Sequence, residues 1–185
     1  SYPGLDIQSN AEVTIQGNGN LTAQGGEGAQ RWGASGIRCT EATLIIDGGI
    51  IVVNGNYNSS GINIPEKSSL IIRNGNITAN GGNVSAGIGG NRDSYSCGSI
   101  QITGGTVKAQ GHSFASGIGS GFRGGAPEKI IITGGDVTAI SSESLPIGNN
   151  PGIYICTVDV KQYTDDKETP YKGDPITFTN GLTKT

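Results

Sequence analysis

The sequence predicts an all-β fold, a right-handed parallel β-helix (solenoid) of about six coils, each of 26–30 residues with three short strands. Three observations predict it: similar segments recur along the chain, apolar and polar residues alternate within them, and glycine is abundant. The 33 glycines among 185 residues exceed twice the usual share of about 7%. Because Gly, Asn, Ser and Thr disfavour helix interiors, a helical bundle is excluded.

Five segments of the chain align with one another around a turn glycine. Successive turn glycines lie 30, 26, 30 and 30 residues apart, at Gly19, Gly49, Gly75, Gly105 and Gly135. A Ser-Gly-Ile or Ala-Gly-Ile step follows each of the first four segments, LPI replaces it in the fifth, and a weaker sixth copy covers 153–160. Repeats of this length are typical of solenoids, in which each unit forms one coil.

Within each segment the side chains alternate with a period of two, which is typical of half-buried strands. In IQITGGTVKA, residues 100–109, Ile100, Ile102 and Val107 fall on one side. Equivalent strands recur in the same direction, so they cannot form hairpins and instead stack as parallel neighbours about 4.8 Å apart. The general handedness of parallel crossovers predicts a right-handed coil.

The alignment predicts four ladders, which are columns of equivalent inward-facing residues stacked from coil to coil. They need few apolar residues per coil, in agreement with a 34% hydrophobic composition. In the first segment, Val13 and Ile15 lie one residue out of phase with Leu44 and Ile46, which predicts a bulge or a cap there. The ladders are Ile46–Ile72–Ile102–Ile132–Ile155, Leu21–Ile51–Ile77–Val107–Val137–Val160, Ala23–Val53–Ala79–Ala109–Ala139 and Ile37–Ile62–Ile88–Ile118–Ile147.

The repeat defines the expected domain organisation. Residues 1–160 are predicted to form the β-helix, whereas residues 161–185 lose the repeat and gain charge. This tail is expected either to cap the open end of the solenoid or to begin a linker or a further domain. The chain contains no methionine and no recognisable leader, so we expect it to be a fragment of a larger protein.

Charge, hydropathy and cysteine content narrow the function classes. A net charge of −3 gives no indication of binding to a nucleic-acid backbone. No apolar run approaches the length of about 18 residues that a membrane span requires. Three cysteines, Cys39, Cys97 and Cys156, are an odd number that argues against a complete disulfide framework, and we expect them to be free. The oligomeric state is left open.

Two stretches resemble a known class of repeat, namely IRNGNITANGGNVSAGIGG at 72–90 and ITGGTVKAQGHSFASGIGSG at 102–121. They are similar to the Gly-rich β-helix repeats of large surface proteins from Gram-positive bacteria, many of them adhesin-like or carbohydrate-binding. The resemblance implies a secreted or cell-surface bacterial protein whose partner is a polysaccharide or host glycan.

A cousin group of calcium-dependent, pectin-binding β-helix proteins shares the GGT-V-x-A core of these repeats. That group carries Asp-rich turns after its Gly-Ile step, whereas here the step continues with Arg38, Asn63 or glycine. We therefore expect no cofactor. Calcium stays open as a ligand, although the residues of these turns do not indicate it.

The loop before each Ser-Gly-Ile step is the first candidate binding surface. It contains Arg31 and Trp32 in the first coil, Tyr57 in the second, and His112 with Phe114 in the fourth. If these loops stack, the rings lie along one edge of the solenoid, where aromatic faces can pack on sugars while polar neighbours fix orientation. Alternatively, Trp32 and Phe114 fold back over apolar parts of their own loops.

The loop after the step is the second candidate surface. It supplies Arg92 and Tyr95 in the third coil, and Phe122 with Arg123 in the fourth. Arg92 and Arg123 are predicted to be near-equivalent in the stack and to clamp a carboxylate or sulfate through their guanidinium forks. The alternative is a local ion pair between Arg92 and Asp93, with Arg123 solvated.

These residues favour a non-catalytic carbohydrate-binding module that acts in adhesion. A structural spacer or stalk of an adhesin without a small ligand stays open, as does a polysaccharide lyase or hydrolase. Glycoside hydrolysis generally needs two facing carboxylates about 5–9.5 Å apart, whereas the acids here are scattered, with Glu41 and Glu66 the nearest to equivalent. His112 is the only histidine, and we assign no catalytic or metal-ligating residue.

Overall fold

The computed structural model describes residues 1–28, 33–148, 154–156, 160–171 and 183–184. Regular structure in these ranges consists of β-strands. They are β1 (Leu5–Ile7), β2 (Glu12–Gln24), β3 (Ile37–Cys39), β4 (Thr43–Asn54), β5 (Ile62–Asn63), β6 (Ser69–Asn80), β7 (Ile88–Gly89), β8 (Cys97–Gln110), β9 (Ile118–Gly119), β10 (Pro127–Ile140), β11 (Ile147–Gly148), β12 (Tyr154–Cys156), β13 (Val160–Tyr163) and β14 (Thr183–Lys184).

Long and short strands alternate along the chain and separate into two sheets. The long strands β2, β4, β6, β8 and β10 are consecutive neighbours in one sheet. The short strands β1, β3, β5, β7, β9 and β11 form the other sheet. All of these pairs are parallel. The predicted parallel β-helix is therefore confirmed, with about five turns, and we number the coils one to five after β2, β4, β6, β8 and β10.

The glycine turn lies inside each long strand and does not end it. The sequence predicted two short strands separated by this turn, but β4 runs without a break through Gly48 and Gly49. The strand register shifts at this point, and Gly49 has a φ of +84°, which glycine adopts without strain. Each coil therefore has two strands, one of them bent, where three had been predicted.

The predicted ladders form the core between the two sheets. Ile46, Ile72 and Ile102 pair in register along β4, β6 and β8, and their side chains are fully buried. The other three ladders also pair as predicted. One assignment was wrong: Cys156, one residue beyond Ile155, pairs with Ile132.

The first coil contains the predicted bulge. Val13 pairs with Leu44 and Ile15 with Ile46, and the register then shifts by one residue before Leu21 pairs with Ile51. The extra residue is absorbed at the glycine turn, so the apolar residues on both sides of it still face inward.

The glycine of the Ser-Gly-Ile step lets the short sheet approach the end of the long one. A Cβ atom on Gly87 would lie 2.5 Å from the backbone nitrogen of Gln110 and 2.7 Å from the carbonyl oxygen of Ala79. Real Cβ atoms do not approach backbone so closely. This contact explains why the glycine recurs in the first four coils, whereas Pro146 takes its place in the fifth.

Two of the cysteines are buried and free, as predicted. Burial raises the pKa of the Cys39 thiol to about 11. The pKa of the Cys97 thiol is also raised, first by burial and then by the charge of Glu128. Both thiols therefore stay protonated near neutral pH and pack as small apolar side chains. The side chain of Cys156 lies outside the described residues.

The described part of the tail begins as a continuation of the long sheet. Val160 to Tyr163 pair with Val137 to Ile140 of β10, and Lys161 forms an exposed 2.8 Å ion pair with Asp136. The division of the chain at residue 160, and the role of 161–185 as a cap or a linker, remain predictions.

Candidate functional site

A groove of about 540 Å³ crosses the loops that connect long strands to the next short strand in the second, third and fourth coils. We call these the long-to-short loops. Glycine backbone forms much of the groove, and polar and aromatic side chains complete it. The side chains that line it are Asn56, Tyr57, Asn83, Val84, His112 and Ser113.

The loops stack because they have equal length and start from paired residues. Asn54, Asn80 and Gln110 end their strands in register, and the Asn80 side-chain amide donates a 2.8 Å hydrogen bond to Asn54 Oδ1. Counting onward, Tyr57 and Ser113 occupy equivalent positions, and both have a left-handed φ, +46° and +50°. The structure thus brings Tyr57 and His112 to one groove, as the stacking hypothesis required.

An aromatic pair joins the two candidate surfaces at the edge of the groove. The ring centroids of Phe114 and Phe122 lie 5.3 Å apart, with the planes tilted by 39°. Phe114 belongs to a long-to-short loop, whereas Phe122 belongs to the following short-to-long loop. The Phe122 backbone N–H donates a 2.9 Å hydrogen bond to the carbonyl of Val84, a groove residue. The two surfaces that the sequence treats separately are therefore one.

Both candidate arginines lie against the ring of Phe122. The Cζ atoms of Arg92 and Arg123 are 5.8 and 5.6 Å from its centroid, within the range of cation–π attraction. The Arg92 Nε atom also forms a 3.0 Å ion pair with Asp93 Oδ2, which was the alternative interpretation of this residue. Among the described ion pairs, Arg123 has no carboxylate partner.

The two arginines, predicted to be near-equivalent, are offset by one residue in the stack. Gly89 pairs with Gly119 and Cys97 with Pro127, so Phe122 takes the place of Arg92 in the stack and Arg123 takes the place of Asp93. Asp93 and Arg123 share a left-handed φ, +55° and +58°. Arg92 and Arg123 therefore contact the Phe122 ring from different loop positions. They do not occupy equivalent positions in neighbouring coils, as a joint clamp on one anion would require.

The remaining predicted site residues are placed differently. Arg31 and Trp32 lie outside the described residues. Tyr95 is 98% exposed and is not among the residues that line the groove. Phe114 is 52% and Tyr57 is 38% exposed, so the fourth-coil ring is not folded back under its own loop.

Sequence reasoning did not select the asparagines that line the groove. Asn56 and Asn83 line the groove. Asn91 accepts hydrogen bonds at Oδ1 from the Ser60 backbone N–H (2.7 Å) and the Ser35 hydroxyl (3.3 Å), which ties three coils together. The only available signal was that each of these three asparagines directly follows a glycine.

Amides, glycine backbone and rings dominate the lining of the groove. No carboxylate is among its lining residues, which include His112 and Tyr57 as titratable groups. Within the described ranges, no group of three or more His, Cys, Asp or Glu residues is arranged to hold a metal ion. Glycine backbone, amides and rings instead offer hydrogen bonds and flat apolar faces.

Comparison with known proteins supports the class of fold. A family model described as a beta helix repeat matches residues 70–92 and 100–122, which span the third and fourth coils from the long strand to the short-to-long loop. Together with the parallel two-sheet solenoid, this match supports a β-helix repeat domain. No curated protein and no solved structure gave a match to the chain. None of the described segments forms a helix with the length and apolarity needed to cross a membrane.

Proposed function

We propose that this β-helix is a non-catalytic carbohydrate-binding module of a secreted or cell-surface bacterial protein, with a role in adhesion. The observation that carries the proposal is the Phe114–Phe122 pair beside a groove lined by amides and glycine backbone. An exposed aromatic face next to hydrogen-bonding groups is the combination that a sugar ring requires, because one side of the ring is apolar and its rim is polar.

The proposed binding mode follows from where these groups lie. The C–H face of a sugar packs on Phe114, while Tyr57 supports a neighbouring sugar two coils away, about 10 Å along the solenoid. Asn56, Asn83 and His112 donate or accept hydrogen bonds at the hydroxyl groups. Because the loops stand on parallel ladders, the groove is held in shape before the ligand arrives, which limits the entropy lost on binding.

Replacing Phe114 by Ala is expected to weaken binding to an oligosaccharide selected on a glycan array. We expect about a tenfold increase in Kd, or about 1.4 kcal/mol, with little change in melting temperature because the ring is 52% exposed. Isothermal titration calorimetry and thermal melting measure the two effects. Ile50→Ala is the matched control, since Ile50 is 50% exposed and is not a groove residue.

Three outcomes would contradict this proposal. If the wild-type protein retains no sugar on the array, with or without calcium, the domain is a spacer. If Phe114→Ala lowers the melting temperature strongly and leaves affinity unchanged, the ring serves the fold. Release of unsaturated or reducing-end products from a polysaccharide would favour the lyase or hydrolase alternative.

Arg123 supports a second element of the proposal, which is recognition of a carboxylate or sulfate on the bound sugar. Its guanidinium rests against Phe122 and is not compensated by a described carboxylate, whereas Arg92 is paired with Asp93. Of the two arginines that the sequence singles out, Arg123 is therefore the one proposed to bind the carboxylate or sulfate.

Replacing Arg123 by Gln is expected to reduce affinity for an acidic oligosaccharide about tenfold, since a hydrogen bond to a charged group contributes about 1.5–3 kcal/mol. Affinity for the neutral analogue of the same length should stay within twofold. Arg73→Gln, which removes an exposed arginine from β6, is the matched control. Equal losses for acidic and neutral ligands would show that Arg123 does not read the anion.

A further inference from the structure

The chain contains five Asn-Gly dipeptides, and the structure distinguishes four of them. They begin at Asn18, Asn54, Asn74, Asn80 and Asn180, of which Asn180 lies outside the described residues. An asparagine before glycine is open to self-modification, because glycine has no side chain to shield its backbone nitrogen. The sequence alone ranks the five dipeptides equally.

The modification is deamidation through a cyclic imide. The glycine nitrogen gives up its proton to water or hydroxide and attacks the side-chain carbon Cγ of the asparagine. An N–Cγ bond forms, and Nδ2 leaves as ammonia. One water molecule then opens the ring at either carbonyl and leaves aspartate or isoaspartate. The rate therefore depends on how closely the nitrogen and Cγ are held together.

At Asn74 the attacking nitrogen already lies against the side chain that it would attack. The Gly75 backbone N–H donates a 2.8 Å hydrogen bond to Asn74 Oδ1. Because Oδ1 is bonded to Cγ, this contact holds the nitrogen beside that carbon and polarises the carbonyl group. An N–H donor requires an oxygen acceptor, so the contact also determines which side-chain atom is Oδ1.

The backbone at Asn74 has fewer register partners than the rest of β6. The register with β4 shifts on both sides of the Asp47–Asn74 pair, and Arg73, Asn74 and Gly75 have no register partner in β8. The Asn74 side chain is exposed, and Gly75 has a left-handed φ of +110°. Water can therefore reach the site, and ring closure there disturbs one register pair.

The dipeptides at the ends of β4 and β6 are held in the opposite way. The Gly55 N–H donates a 2.8 Å hydrogen bond to the carbonyl of Asn80. The Gly81 N–H donates one of the same length to the carbonyl of Gln110, and Asn80 Nδ2 donates to Asn54 Oδ1. In both dipeptides the nitrogen is bonded to the next coil and the asparagine is half-buried. Reaction there requires local opening of the stack.

Asn18 supplies a matched comparison in the glycine turn of the first coil. Asn18 and Gly19 are exposed, as Asn74 is. Among the described hydrogen bonds, however, none joins the Gly19 N–H to the Asn18 side chain. Exposure is therefore common to the two dipeptides, and the contact between nitrogen and amide distinguishes Asn74.

We propose that Asn74 is a self-modification site, at which the Gly75 nitrogen closes a succinimide and water converts the residue to aspartate or isoaspartate while the chain stays folded. The product carries a negative charge opposite Asp47, its register partner in β4. Isoaspartate also lengthens the backbone of β6 by one carbon atom. The register already shifts at this point, so Ile72 and Ile77 keep their places in the ladders. Asn74 is not a groove residue, and the proposal does not depend on sugar binding.

Incubation of the folded chain at mildly alkaline pH, followed by peptide mapping with mass spectrometry, tests the proposal. Each event replaces NH₂ by OH and raises the mass of one peptide, and heavy-oxygen water labels the new oxygen atom. We expect Asn74 to react at least about tenfold faster than Asn54 and Asn80, and faster than Asn18. The rate should rise with pH, because the attacking nitrogen must lose its proton.

Two controls separate the folded geometry from the sequence. In the urea-unfolded chain the same four dipeptides should react at similar rates, because each then has a glycine neighbour and no fixed contacts. In the folded chain Asn74→Gln should remove the fastest release of ammonia, since glutamine would have to close a larger ring. Asn76→Gln is the matched control, because Asn76 is exposed in the same strand but precedes isoleucine.

Each contrary result overturns the proposal. Equal rates at Asn74 and Asn80 in the folded chain would mean that opening of the stack determines the reaction. Equal rates at Asn74 and Asn18 would assign it to exposure alone. An Asn74 that stays intact in the folded chain, while the unfolded chain reacts, would show that the turn protects this residue.

Discussion

Ile102→Asp is expected to abolish the folded state at room temperature. Ile102 has no exposed surface and lies between Ile72 and Ile132 in the ladder of the central coils. The change removes about 1.5–3 kcal/mol of apolar burial and adds a carboxylate to a core that has no partner for it. The total rivals the whole stability of an ordinary domain, about 5–15 kcal/mol.

Far-ultraviolet circular dichroism and thermal melting measure this effect. Thr103→Asp is the matched control, because Thr103 is the next residue of the same strand and its side chain is exposed. We expect the control to fold and to melt within a few degrees of the wild type. A folded Ile102→Asp protein with an unchanged transition would mean that the ladder is not the core.

Gly87→Ala is expected to cost more than about 3 kcal/mol, a large effect for a single methyl group. The new Cβ atom would meet backbone atoms on two sides, at 2.5 Å from the nitrogen of Gln110 and 2.7 Å from the oxygen of Ala79. Neither atom can move without breaking the strand ladders, since both belong to paired residues of β6 and β8. Urea unfolding monitored by circular dichroism measures the loss.

The adjoining loop glycine provides the control for this prediction. The nearest neighbour of a Cβ atom on Gly90 would be the backbone nitrogen of Gly121 at 3.4 Å, which is ordinary contact. Gly90→Ala should therefore leave stability unchanged or raise it slightly, because alanine reduces the freedom of the unfolded chain. Equal destabilisation by the two substitutions would contradict the close approach assigned to Gly87.

The core could be predicted from the sequence because ladder positions repeat. An alternation of period two selects the inward side of each strand, and the recurring glycine fixes which residues are equivalent. Ile37, Ile62 and Ile88, for example, align by simple counting and pair in the structure. Counting failed at Ile155 because the last segment is a degraded copy with no turn glycine to fix its register.

The site was harder to predict, because it depends on contacts between loops of different kinds. Repeat alignment compares loops of the same kind in different coils. It therefore placed Tyr57 and His112 on one edge but gave no reason for a contact between Phe114 and Phe122. It also placed Arg92 and Arg123 only near each other in the stack, since nothing in the loop sequence marks the one-residue offset. The continuity of the long strands through Gly49 was missed because a glycine pair usually ends a strand.

The equal length of the loops in the second to fourth coils has a practical consequence for engineering. Each loop starts and ends on the strands of its own coil. Those strands are held in place by their own buried residues, which do not belong to the loops. Under the proposed sugar binding, libraries that randomise Asn83 and Val84, or His112, would change selectivity one coil at a time on a constant scaffold. Ligand preference and thermal robustness could then be optimised as separate traits.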